Sequence, residues 1–220
     1  MKGETMKLVI FVLFLMTSGE LLFGQSATST EYSGIKWLTE KSEVIKLVKA
    51  AYESKGFVYE CKDESSDEPI VLKNQLETGT FSCEPETITF YFEGSKLISV
   101  SNELAKIVLM GAHTAMYTNR NHQQEEFTAS AMKSYGITSF TYVQDDSRPN
   151  NKTVTRLFTQ EALLEQKGLL ITITDYNAYG SSIMMASWTI KYEPIAYNKS
   201  KVDDLKQRIE KKNNLENKKF

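Results

Sequence analysis

The chain has 220 residues, of which 41% are hydrophobic and 25% charged, and its formal net charge is -2. This composition is too apolar for intrinsic disorder. With no basic stretch in the body of the chain it gives no reason to expect a nucleic-acid partner, and the Lys-rich end, KKNNLENKKF, reads as a short solvated tail.

The N-terminus, MKGETMKLVIFVLFLMTSGELLFGQS, carries a Lys, an apolar run from Leu8 to Met16, and then small and polar residues. That order is the layout of a secretory signal peptide, with cleavage after Gly24, and it resembles bacterial leaders that end just before a Gln. Glu20 interrupts the apolar stretch, which is too short for the ~20 residues a membrane-spanning helix needs. No Cys follows it to carry a lipid. The expectation is an exported protein, periplasmic or secreted, with no membrane span once residues 1–24 are removed and with 25–36 as a linker.

A first unit is expected over 37–101. In LTEKSEVIKLVKAAYESKG, Val44, Ile45, Val48, Ala51 and Tyr52 follow helical spacing, Thr39 or Ser42 can cap the start, and Gly56 marks the stop. FVYECK alternates as a strand, the acidic loop DESSDEP follows, and IVLKNQL reads as a second strand. TITFYFEGSKLISVS is the clearest hairpin: Ile88, Phe90 and Phe92 share a face, and Gly94-Ser95 suits a two-residue turn.

The connecting segment 102–121 is open between a helix capped by Ser101 or Asn102 and a strand through KIVLM. A second unit, 122–197, repeats the order of the first. HQQEEFTASAMKSYG reads as a helix ending at Gly136, then ITSFTYV, the polar loop QDDSRPNN, KTVTRLFT, and a hairpin through LLITITDYNAYGSSIMMASWTIKY. TITFYF and LITITD fall at corresponding places. The tail, 198–220, spaces Val202, Leu205 and Ile209 along a polar helix that either docks by a narrow stripe or projects into solvent.

Two helix-plus-antiparallel-sheet units predict an α+β fold with helices packed on one face of a curved sheet and the other face free for solvent or a partner. On SEVIKLVKAAYESKGFVYE with TITFYFEGSKLISV, and EEFTASAMKSYGITSFTYV with LLITITDYNAYGSSIMMASWTIKY, the chain resembles the beta-lactamase-inhibitor-protein-like fold of tandem helix-plus-four-strand units. It is also similar to the small outer-membrane assembly lipoproteins that carry one such unit, although their lipid-bearing Cys is absent. The resemblance implies a fold and carries over no functional residue.

Catalytic chemistry is sparse. No nucleophile elbow, phosphate-binding loop or dinucleotide fingerprint occurs. His122 with Glu125 or Glu126 makes at most half a metal site, the carboxylates of DESSDE and QDDS lie in polar loops, and no cofactor is expected. Cys61 and Cys83, the only cysteines, are either a disulfide stabilising the fold by about 3 kcal/mol or two separate thiols. Tyr176 and Tyr179 sit in an apparent hairpin loop, either as anchors for a partner or folded back on the sheet edge.

The leading expectation is an exported, non-catalytic protein that binds a macromolecule or cell-envelope component through its sheet face and hairpin loops. A carboxylate-dependent secreted enzyme, or a structural or ligand-carrying envelope protein, are the alternatives.

Overall fold

The structure, a computed structural model, describes residues 27–52, 55–77, 82–109, 128–129, 131–146, 148–149, 154–179 and 183–217. The leader at 1–24, both histidines and the hairpin tip at 180–182 lie outside these residues. The fold is mixed α/β, and its centre is an antiparallel sheet.

Ile, Phe and Leu alternating with Thr and Ser builds the long strands, because successive side chains of a strand point to opposite faces and here one face is mainly core. The strands are β3 (Val58–Glu60), β4 (Ile70–Glu77), β5 (Ser82–Glu93), β6 (Lys96–Leu109), β7 (Tyr142–Asp145), β8 (Arg148–Pro149), β9 (Val154–Leu164), β10 (Leu169–Tyr179) and β11 (Ile183–Pro194). Their spatial order is β3-β4-β5-β6-β11-β10-β9-β7, with β8 also on β9. Two meanders therefore run in opposite directions and meet where β6 pairs with β11, Leu104 opposite Trp188 and Val100 opposite Tyr192. The segment left open between helix and strand resolves as strand up to Leu109, so Lys106 to Leu109 extend β6.

The β5–β6 turn is the one expected: Gly94 and Ser95 both adopt positive φ, 54° and 62°, between Glu93 and Lys96. Asp67 locks it from the acidic loop, its carboxylate accepting the Gly94 and Ser95 N–H groups at 2.9 and 2.7 Å. Lys41, 1% exposed, holds the same loop by donating to the carbonyls of Asp63 and Ser66.

Helix α1 (Lys41–Tyr52) lays Val44, Ile45, Val48 and Tyr52 on one sheet face, and a helical stretch at 131–135 adds Ala131 and Tyr135 to the same core. Both helices stop alike. The Phe57 N–H reaches the Tyr52 carbonyl past Gly56 (φ 80°), and the Ile137 N–H reaches the Met132 carbonyl past Gly136 (φ 63°).

Two expectations are corrected. The stretch read as a linker contributes a hairpin, β1 (Glu31–Tyr32) and β2 (Ile35–Lys36), rather than a tether. Its Tyr32 is fully buried and rests against Trp37, Phe90 and Tyr192 at centroid distances of 6.4, 6.1 and 5.3 Å. A buried aromatic repays strand pairing that two residues alone could not sustain. Helices also occupy both faces. The C-terminal helix α2 (Lys199–Asn217) docks by the narrow stripe Val202 and Leu205 onto Leu170, whose strand neighbours Leu169 and Ile171 belong to the opposite core.

Candidate functional site

The face that α2 only partly covers is read directly from the ladders. One row across it runs Thr159, Thr174, Thr189, Glu103, Thr87 and Lys73, on β9, β10, β11, β6, β5 and β4. The next runs Glu161, Thr172, Lys191, Ser101, Thr89 and Val71. A third carries Leu157, Tyr176, Ser187 and Ala105. The threonines and Tyr176 are half-buried, and at ~4.8 Å per strand each six-strand row is ~24 Å wide. Because the backbone is paired on both sides within the sheet, the hydroxyls are held at fixed spacing.

Charge on this face is largely neutralised within it. Glu193, 3% exposed, accepts from Lys201 and pairs with Lys191 at 3.4 Å. Burial lowers the Lys191 pKa against the pull of Glu193, and its ammonium stands over the Tyr91 ring at 4.4 Å. Glu161 receives a two-pronged contact from Arg208 at 2.7 and 3.1 Å.

Tyr176 and Tyr179 are not loop residues. Both belong to β10, Tyr176 between Leu157 and Ser187, and Tyr179 between Val154 and Met184. Strand residues alternate, so the two positions do not share a face. Tyr176 sits in the hydroxyl rows; the side chain of Tyr179 lies outside the described residues. Asp175 and Asn177, the polar residues on either side of Tyr176, are likewise buried strand positions, 3% and 0% exposed.

Of the two readings of the cysteines, a disulfide or separate thiols, the register favours the second, and Cys61 is a free thiol. It follows Glu60, which pairs with Val71, and Val71 pairs with Thr89. From Thr89 to Cys83 along β5 is roughly 20 Å at ~3.3 Å per residue, against the ~7 Å that a disulfide tolerates between Cα atoms.

The acidic loop works as a brace. Asp63 accepts from the Ser65 hydroxyl and N–H at 2.7 and 2.8 Å, and hydrogen bonds hold the pKa values of Asp63 and Asp67 below the usual carboxylate range. Among the described residues no group of three or more His, Cys, Asp and Glu is placed to hold a metal, and no helix is long and apolar enough to cross a membrane.

The hydroxyl rows had a signal in the sequence. The Thr-x-Thr spacings of TITFYF and LITITD place Thr87, Thr89, Thr172 and Thr174 on one side of their strands, opposite Ile88 and Ile173. No protein family, curated protein or solved structure matches the chain.

Proposed function

We propose that this is an exported, non-catalytic protein that binds a macromolecule or cell-envelope component through the hydroxyl-lined face of its sheet. The observation that carries the reading is the row Thr159, Thr174, Thr189, Glu103 and Thr87, presented on five neighbouring strands and left open by α2. Half-exposed threonines and a tyrosine on a stiff sheet offer donors, acceptors and apolar area together, which suits recognition more than bond breaking. The apolar leader is the basis for placing the protein outside the cytoplasm, periplasmic or secreted.

An internal duplication accompanies this reading: two helix-plus-four-strand units in tandem, resembling the beta-lactamase-inhibitor-protein-like arrangement. The matched Gly56 and Gly136 helix stops, the opposed meanders and the paired Thr-x-Thr strands favour it.

A carboxylate-dependent enzyme fits less well. Glu86 and Asp175, both buried, stand three strands apart in the same row, with Trp188 and Leu104 at the positions between them.

A pull-down from a cell-envelope fraction tests the binding reading. The mature chain should retain a specific component, and Thr174→Glu with Thr189→Glu should release it without lowering the melting temperature. Equal retention by the variant would reject the face as the binding surface.

A further inference from the structure

The central row of the open face, Thr159, Thr174, Thr189, Glu103 and Thr87, is half-buried at every position, so it presents an even surface across five strands. Neighbouring strands stand ~4.8 Å apart, and the row therefore offers one polar group per step over ~19 Å. An even, periodic surface suits an extended polymer better than a compact molecule.

The charges of this face select among polymers. Glu60 holds Lys73 at 2.7 Å, Glu161 holds Arg208, and Glu193 holds both Lys191 and Lys201. Both cations of the rows, Lys73 and Lys191, are thus committed to carboxylates. Glu103 has no ion pair among the described residues, and it stands between Thr189 and Thr87 at the middle of the face. A polyanion would meet that carboxylate with no uncommitted cation on the rows to hold it. A protein interface centres on apolar and aromatic anchors and keeps charge out of its core. This face instead centres on a carboxylate flanked by hydroxyls.

That centre matches the chemistry of a sugar. A carboxylate accepts from two adjacent hydroxyls at once, and each threonine hydroxyl both donates and accepts. Tyr176, half-buried between Leu157 and Ser187 and two residues from Thr174, adds apolar ring area for the C–H face of a pyranose. An extended β-1,4-linked pyranose chain advances by close to one strand spacing per residue and turns hydroxyls to its edges at each step.

We infer that the open face binds a neutral, linear β-1,4-linked glycan laid across β9, β10, β11, β6 and β5. Glu103 accepts from two hydroxyls of one sugar, and Thr174 and Thr189 serve the sugars beside it. This rests on the binding reading above and specifies its ligand.

Calorimetry with cellohexaose and chitohexaose tests it, with a heparin hexasaccharide as the anionic comparison. At least one neutral hexamer should bind saturably, more tightly than the anionic one and at least tenfold, about 1.4 kcal/mol, more tightly than its own dimer. In nitrogen-15-labelled protein the amide signals of Thr174, Thr189 and Glu103 should shift, and that of Leu47, exposed on α1, should stay still. Glu103→Gln, and separately Tyr176→Ala, should weaken binding at least tenfold with the melting temperature unchanged. No binding of either neutral hexamer, equal affinity for hexamer and dimer, preference for the anionic hexamer, or a response that Glu103→Gln leaves intact would overturn the inference. If the hexamers fail while Thr174→Glu with Thr189→Glu still releases an envelope component, the glycan is wrong and the binding face stands. If the hexamers fail and that variant releases nothing, both readings fall.

Discussion

Arg208 of α2 forks onto Glu161 of β9, its two terminal nitrogens donating to the two carboxylate oxygens at 2.7 and 3.1 Å. The same guanidinium lies over the Tyr142 ring at 4.9 Å and donates through Nε to Asp204 at 3.0 Å. With Val202 and Leu205 seated on Leu170, these contacts hold a mostly polar helix on a sheet face that is otherwise lined with hydroxyls. The anchor determines how much of that face stays open.

Arg208→Ala should release the far part of α2. Glu161 is 7% exposed but Arg208 keeps a third of its side chain in water, so the loss should be about 2 kcal/mol rather than the larger cost of breaking a fully buried pair. Urea titration measures it, and hydrogen exchange should speed up in 206–217 before the strands respond.

Tyr32 should behave as a core residue although it lies on a two-residue strand. Its ring is fully buried against Trp37, Phe90 and Tyr192, and Tyr32→Ala should cost roughly 3–5 kcal/mol in chemical denaturation. A change within ~0.5 kcal/mol, the usual effect at a surface position, would return residues 27–36 to the role of a linker.

Glu86 sets a pH dependence with a definite sign. Burial raises its pKa above the ordinary value of 4.5, outweighing the Asn102 hydrogen bond and Lys55, which lower it. The folded state therefore favours the protonated form. Its contribution is fully present below the unfolded pKa and is lost as pH rises through the raised folded pKa. Glu86→Gln should remove this downward slope and raise the melting temperature relative to the parent at neutral pH. An unchanged slope would place the titration elsewhere.

Cys61 and Cys83 should both react with a thiol reagent in unreduced, denatured protein, because the β3–β4–β5 register keeps their backbones apart. Absence of reactive thiols would require a different strand register.

Local signals in the sequence were reliable where one turn or one periodic face decided the outcome. The apolar positions of α1, the glycines at 56 and 136 and the Gly94-Ser95 turn all follow from short-range sterics. Features decided by distant partners were not legible. The two-residue strands β1 and β2 are too short to show a period, and Tyr32 reaches the core only because Phe90 and Tyr192 are there. Lys41 reads as a solvent-facing helix residue, yet the carbonyls of Asp63 and Ser66 allow its burial. Asp175 and Asn177 mimic a loop because polar residues interrupt an apolar alternation, while the pairing with β9 and β11 continues through them. The hydroxyl rows were visible as Thr-x-Thr spacing within strands, but their alignment across the sheet depends on register alone.

The most direct test of the hydroxyl face as the binding surface is site-specific photo-cross-linking. A benzophenone side chain placed at Thr174, in the centre of the rows, is compared with one at Leu47, an exposed position on α1 across the sheet. With the envelope fraction present, illumination should give a discrete adduct from position 174 and none from position 47. An adduct from position 47 alone, or none from position 174, would contradict the account.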